Sequence, residues 1–232
     1  MTIDLNADVG EGFGGDAELL AIVSSANIAC GLHAGSPEIA AETMELAISR
    51  GVAIGAHPGY HDRANFGREA VELADEGIGI LAYQIGALVG LAGVFEAELA
   101  HVKLHGAMNH LAHDDADFAD LVSGVVGRWN LSLVGLPGGE LERAADDAEL
   151  RFIREGFADR RLQADGSLVP RGESNALIAD PAEAFDHIRR QIDERGVQSI
   201  CIHGDAPGAV AFATAIRTKL EAAGFIIAPP ND

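Results

Sequence analysis

The feature that most constrains this chain is a repeated alternation. Eight short runs rich in β-branched residues lie at 3–8, 26–30, 52–56, 100–104, 131–135, 150–154, 199–203 and 225–228. Longer helix-forming stretches at 38–50, 73–92, 116–128, 181–195 and 206–223 separate most of them. Strand, helix, strand with short links makes neighbouring strands parallel, because the helix carries the chain back to the starting end. Pro37, Pro181 and Pro207 stand near helix starts, and Gly51, Gly196 and Gly224 follow helix ends. No linker rich in Pro, Gly or Ser divides the chain. The expectation is one α/β domain over residues 1–232, an irregular barrel of seven or eight βα units. A doubly wound open sheet is the alternative.

Strand parity adds chemistry to this outline, since successive side chains point to opposite faces. Asp4, Asn6 and Asp8 share a face opposite Ile3, Leu5, Ala7 and Val9. Asn27, Ala29, Gly31 and His33 oppose Ala26, Ile28 and Cys30; Ala53, Gly55 and His57 oppose Val52, Ile54 and Ala56. His101, Lys103 and His105 oppose Val102 and Leu104; Cys201, His203 and Asp205 oppose Ile200 and Ile202. One face of each strand can pack against helices. The other begins small or polar and ends in His or Asp at the C-terminal end, where parallel barrels and parallel sheets both bind ligands.

Composition narrows the function. A formal net charge of -20 repels phosphate backbones and anionic lipid, which argues against nucleic-acid and membrane partners. No apolar run is expected to reach the ~20 residues of a membrane span. The N-terminus shows no signal-peptide pattern, so the expected location is cytoplasmic. Cys30 and Cys201, far apart in apolar segments, read as buried thiols rather than a disulfide. The only lysines are Lys103 and Lys219, which makes Lys103 inside a motif notable.

Each motif has a chemical reading and a plain one. Gly10, Gly12 and Gly15 satisfy G-x-G-x-x-G, but Asp8, Glu11 and Asp16 would meet a pyrophosphate with negative charge. Those glycines therefore read as turn residues, with Asp8 and Glu11 suited to hold a cation, polarise water or accept a proton. His33 and His57 end strands beside glycines, which would let a substrate approach the backbone. On a helix His101 and His105 would share a face as zinc ligands do, but Gly106 and the β-branched context favour a strand. Lys103 then lies between them, partly buried and able to stabilise an oxyanion. His203 reads as an acid/base oriented by Asp205 or by an acid elsewhere. Arg154, Arg160 and Arg171 form either exposed ion pairs in a loop after the sixth strand or an anion clamp. No G-x-S-x-G elbow, P-loop or C-x-x-C pair is present.

Taken together these strings resemble the LamB/YcsF family. The matching pieces begin with Asp4-Leu5-Asn6-Ala7-Asp8-Val9-Gly10-Glu11-Gly12-Phe13-Gly14 and Ser24-Ser25-Ala26-Asn27-Ile28-Ala29-Cys30-Gly31 with His33-Ala34-Gly35. They continue in Gly55-Ala56-His57-Pro58-Gly59-Tyr60 with Phe66-Gly67-Arg68, then Val102-Lys103 and His105-Gly106-Ala107. Phe157-Ala158-Asp159-Arg160, Leu168-Val169-Pro170-Arg171 and Ile200-Cys201-Ile202-His203-Gly204-Asp205 complete the set. The resemblance implies a (β/α)7-type barrel of the glycoside hydrolase/deacetylase kind. It also implies a role as the A-type subunit of the ATP-dependent 5-oxoprolinase, which opens 5-oxo-L-proline to L-glutamate together with two further subunits of B and C type. Leu104, Asn109, Glu69 and Leu162 stand where the family pattern has Pro, Tyr, Arg and Tyr, and His61 where it has Pro. The strand ends are kept while the rim has drifted, which bears on substrate and partner fit.

That chemistry assigns expected roles. A lactam amide is a poor electrophile, and phosphorylating its oxygen makes an imidate-like species open to water. Asp8 or Glu11 would be the base, Lys103 would meet negative charge, and His105 or His203 with Asp205 would move protons. Asn6, Asn27, His33, His57, Arg68 and Arg160 would line the small-molecule pocket. ATP would bind here or with the partner subunits. Two alternatives stand beside this. One is a metal-dependent amidohydrolase or deacetylase acting without ATP, with Asp8, His33 and His57 as ligands of Zn²⁺ or Mn²⁺. The other is a non-catalytic small-molecule-binding subunit.

Overall fold

The parity pattern resolves into a closed barrel. In the computed structural model, which describes residues 1–69, 77–204 and 208–230, seven parallel strands pair in sequence order. They are β1 (Thr2–Val9), β2 (Ser25–Ala29), β3 (Ala53–His57), β4 (His101–Lys103), β5 (Ser132–Gly135), β6 (Phe152–Phe157) and β7 (Ser199–Ile202). β1 bonds to β2 from Asn6 and to β7 from Asp4, which closes the ring and overturns the open-sheet alternative. A short β8 (Ile226–Ile227) pairs with Thr2 and Ile3 at the start of β1.

Among the described residues the helices are α1 (Asp16–Leu19), α2 (Pro37–Ser49), α3 (Gly77–Val94), α4 (Gly106–Asp114), α5 (Ala116–Val126), α6 (Glu140–Asp147), α7 (Pro181–Arg195) and α8 (Ala209–Ala222). Their ends follow local chemistry. Ser36 and Asp180 cap α2 and α7, accepting the N–H groups of Ile39 and Ala182 at 3.2 and 2.9 Å, with Pro37 and Pro181 in the first turns. Gly196 closes α7 at φ 64°. Pro207, and residues 73–76 and 206 of two expected helices, lie outside the described residues.

Helix α3 corrects one expectation. It has 18 residues and is long and apolar enough, by length and composition alone, to cross a membrane. In the fold it buries Leu81, Ile85, Leu88 and Ala92 against the barrel layer. Each of the larger side chains contributes roughly 1.5–3 kcal/mol. Its buried Gln84 also clasps the backbone of Gly59, accepting its N–H and donating to its carbonyl, both at 3.0 Å. That double bond fixes the loop that follows β3.

Two boundaries differ from expectation in ways that matter for the site. The sixth strand runs two to three residues later than 150–154. Helix α6 ends at Asp147 and Glu149 takes φ 55°, so Leu150 belongs to the link and Glu155 enters the barrel. The fourth strand stops at Lys103. Gly106, at φ 54°, turns the chain into the unanticipated α4; a Cβ there would stand 2.6 Å from the Gly67 carbonyl oxygen. The short α1 and α6 also depart from the expected outline; α6 is only eight residues long, with Leu141, Ala144 and Ala145 buried on one face and acidic residues on the other.

Candidate active site

The apolar strand faces point outward to the helices, burying Leu5, Ile28, Ile54, Val102, Leu133 and Ile200. The polar faces fill the barrel in layers. At the bottom, Ser24, Ser25 and Ser199 donate hydrogen bonds to Asp4, two of them at 2.6 and 2.8 Å. Burial outweighs these bonds and raises the Asp4 carboxyl above its ordinary value. In the middle layer the Asn6 amide donates to Glu155 (3.0 Å) and Ser199 (2.7 Å), and the Asn27 amide donates to Asn6 (2.7 Å) and Asp8 (2.9 Å). His101 donates through Nε2 to Asn27 Oδ1 at 2.7 Å. Burial, with Lys103 nearby, pushes its pKa down to about 3, so the ring is neutral. The ring fits only because residue 55 is glycine: a Cβ there would lie 2.2 Å from His101 Nε2.

Above this layer sits the charge that matters. Lys103 Nζ lies 2.8 Å from Asp8, 2.9 Å from Glu155, 3.0 Å from Cys201 Sγ and 3.3 Å from Asn6 Oδ1. Burial opposes ionisation of both Lys103 and Asp8. The opposite charges outweigh it, raising Lys103 well above its usual value and holding Asp8 well below the carboxylate range. Cys201 goes the other way: burial keeps it a thiol, well above its usual pKa. It is fully buried as expected, whereas Cys30 is only partly so.

A cavity of about 280 Å³ opens over this triad at the C-terminal ends of the strands. Asp8, Glu11, His57, Arg68, Lys103, His105, Arg160 and His203 all border it, in line with the parity pattern and the motifs. Asn6, Asn27 and His33 do not line it. The two asparagines are at most 1% exposed and lie beneath the floor as braces for Asp8 and Lys103. Asp205 lies outside the described residues.

The acid behind His203 is Asp159. Both of its carboxylate oxygens lie 3.0 Å from His203 Nδ1, and Phe157 stacks on the imidazole with centroids 5.7 Å apart. With Nδ1–H committed to Asp159, Nε2 is the position left to exchange a proton. Sequence reasoning gives Asp159 and Phe157 no role because they follow the misplaced sixth strand. Arg154, grouped with them in sequence, points outward to Glu142 at 2.6 Å.

The segment after β6 folds back through bridges Arg160–Leu177 and Leu162–Leu168 and brings Arg160 and Arg171 to the cavity wall. Arg160 is 4% exposed; its terminal nitrogen donates to the Val169 carbonyl at 2.6 Å, while its Nε is buried without a hydrogen bond. Burial and the neighbouring Arg171 press its pKa down to about 10. A buried guanidinium among other guanidiniums is an anion receptor. Of the drifted rim positions, Leu104 and Asn109 line the cavity, and Leu162 joins a small apolar cluster with Phe157 and Leu168.

The remaining wall is imidazole. His57 and His105 meet at 3.1 Å through Nε2 and Nδ1, and His33 stacks on His105 with centroids 3.9 Å apart and planes within 4°. Two glycines nearby leave room for these rings. A Cβ at Gly59 would stand 2.6 Å from His33 Nδ1, and one at Gly67 3.0 Å from His33 Cβ. Burial pushes His33 down to about 3 and His105 well below the usual histidine value.

The chain has known counterparts. The LamB/YcsF family profile matches residues 3–232. The chain belongs to the LamB/YcsF family. Two relatives, each named as the A-type subunit of 5-oxoprolinase, are similar along their length. The one from Methylococcus capsulatus is 48% identical, covering 98% of this chain and 95% of its own; the one from Tolumonas auensis is 42% identical, covering 97% and 98%. The crystal structure of the lactam utilization protein from Thermus thermophilus superposes with a TM-score of 0.91 at 38% identity, covering 98% of this chain and 99% of that one. A deacetylase solved with its substrate and a β-1,4-mannanase, both at TM-score 0.52 and 15% or lower identity, share the fold alone. LamB/YcsF membership thus carries the barrel expected from the resemblance, of the deacetylase and glycoside hydrolase kind.

Proposed function

We propose that this chain is the A-type subunit of an ATP-dependent 5-oxoprolinase, a hydrolase that opens the lactam of 5-oxo-L-proline to L-glutamate as ATP is hydrolysed. The observation that carries the reading is one small cavity bordered by an ionised Asp8, an Asp159-backed His203 and the buried cation Arg160. Ring opening needs those three functions: a base for water, a proton for the departing ring nitrogen, and a clamp for the substrate carboxylate. ATP-free amide hydrolysis and a non-catalytic role are not favoured, since the relatives at 48% and 42% identity both carry the oxoprolinase name.

Asp8 accepts the proton of the attacking water once the lactam oxygen is phosphorylated, and His203 Nε2 protonates the nitrogen as the C–N bond breaks; a second water then hydrolyses the resulting γ-glutamyl phosphate to L-glutamate and inorganic phosphate. Arg160, with Arg171 and Arg68 on the same wall, holds the carboxylate or the transferred phosphate. Lys103 acts differently from expectation. Its protons are already taken by Asp8, Glu155 and the Asn6–Cys201 pair, so it works by keeping Asp8 anionic rather than by meeting substrate charge. A cavity of about 280 Å³ lies at the lower edge of the ~300–1,000 Å³ of ligand pockets, which suits a five-membered ring acid better than a nucleotide. We therefore assign nucleotide binding to the assembly with subunits of B and C type in the cytoplasm. The test is glutamate release from 5-oxoproline by the purified assembly. Release that needs ATP and this chain is expected; an assembly with no ATP-coupled release overturns the assignment.

A further inference from the structure

The imidazole wall of the cavity holds a contradiction that a cation resolves. His57 Nδ1 lies 2.7 Å from the Lys103 carbonyl oxygen, and His105 Nε2 lies 2.7 Å from the Phe66 carbonyl oxygen. A carbonyl only accepts, so each of these nitrogens carries a proton. Those two bonds leave His57 Nε2 and His105 Nδ1 facing each other at 3.1 Å, with no carbonyl between them and each free to offer a lone pair. Around this gap stand Asp8 Oδ2, 3.4 Å from His57 Nε2, and Glu11 Oε1, 3.7 Å from His105 Nδ1 and 3.5 Å from His33 Nε2. His33 is 1% exposed, and neither of its nitrogens has a hydrogen bond.

We infer that Glu11, His33, His57 and His105 form a binding site for one divalent transition-metal ion, with Asp8 at its edge. One donor atom from each of the four lies within 4.8 Å of the others. Bonds of about 2.0–2.2 Å in a tetrahedral shell put donors about 3.3–3.6 Å apart; three of the pairs stand at 3.1, 3.5 and 3.7 Å, and His33, parallel to His105, turns its ring to aim Nε2 at the shared ion. A proton on His57 Nε2 would serve one contact and leave His33 as it is; an ion serves all four. Three imidazoles select the Zn²⁺, Mn²⁺, Co²⁺ class over Mg²⁺ and Ca²⁺, which prefer oxygen shells. The carbonyls of Lys103 and Phe66 act as the outer partners that fix ring orientation in histidine metal sites. This set differs from Asp8, His33 and His57 taken from the sequence: it adds Glu11 and His105 and moves Asp8 to the side. The second acid–thiol–imidazole group, Asp8 with Cys201 and His203, is less suited, because Lys103 already occupies both Asp8 and Cys201.

The inference goes beyond the oxoprolinase reading, and the experiment separates the two. Tag-free protein stripped with chelator is titrated with Zn²⁺, Mn²⁺ and Co²⁺ by calorimetry, and Co²⁺ is followed by its visible absorption. One equivalent is expected to bind, with imidazole-type Co²⁺ bands. His33→Gln and Glu11→Gln should each weaken binding by at least about 100-fold, beyond the ~10–100-fold typical of outer partners. Arg143→Gln, on the exposed face of α6, should leave binding unchanged, and melting curves of the stripped variants verify folding. Failure of all three ions to bind, or binding indifferent to His33→Gln and Glu11→Gln, would overturn it. Ion binding by a protein without oxoprolinase activity would leave this inference standing and count against the other.

Discussion

The Lys103 ammonium sits 2.8 Å from Asp8 and joins it to Glu155, 2.9 Å away, with all three side chains at most 5% exposed. One cation between two buried carboxylates helps to keep Asp8 anionic at the cavity wall. Lys103→Met leaves two buried carboxylates without a counter-charge. The expected outcome is a loss of about 3–5 kcal/mol in denaturant unfolding. Adding Glu155→Gln should restore part of that stability without restoring activity, because Asp8 remains unpaired.

His203 depends on Asp159 for its tautomer. Asp159→Asn keeps the shape but removes the charge that holds Nδ1–H in place. Steady-state kinetics of the complete assembly should show kcat falling by about 100-fold or more with KM changed little, the range for losing a positioned acid/base. A variant with wild-type kcat would remove His203 from proton transfer.

Arg160 is predicted to act in binding. Arg160→Ala should raise KM for 5-oxoproline by about 10–100-fold, the value of one charge-assisted hydrogen bond of ~1.5–3 kcal/mol, and weaken inhibition by glutamate in parallel. Arg160→Lys should recover little, since an ammonium cannot reproduce the fork that also bonds the Val169 carbonyl.

His101 gives the fold an acid sensitivity. Its pKa is about 3 when folded, against about 6.5 when unfolded. The unfolded chain binds that proton first as pH drops, so His101 costs no stability above about pH 6.5 and progressively destabilises the fold from there towards about pH 3. The slope is about 1.4 kcal/mol per pH unit for this one group. Urea unfolding between about pH 4 and pH 7 should show a shallower slope in His101→Gln. An identical slope would mean that the ring is protonated in the folded barrel.

Much of this was legible in the chain itself. Parity along 3–8, 52–56 and 199–203 placed Asp4, Asn6, Asp8, Gly55, His57 and Cys201 on one inward face, because alternation is a property of an extended backbone and needs no partner. Acidic residues beside Gly10, Gly12 and Gly15 ruled out a phosphate loop. In the fold Asp16 Oδ2 takes the Gly10 N–H at 2.8 Å, and the three glycines have φ of 71°, 89° and 83°. The tertiary structure decided what parity cannot express. A shift in one strand boundary, set by where α6 ends, moved Glu155 into the interior and Phe157 and Asp159 to the site. Ring closure decided that Lys103 spends its charge on Asp8 and Glu155, both far from it in sequence. Carbonyls supplied by distant segments engage one nitrogen each of His57 and His105, and so turn the other two towards each other. Local sequence sets which way a side chain points; only the closed barrel sets which charges and lone pairs it meets there.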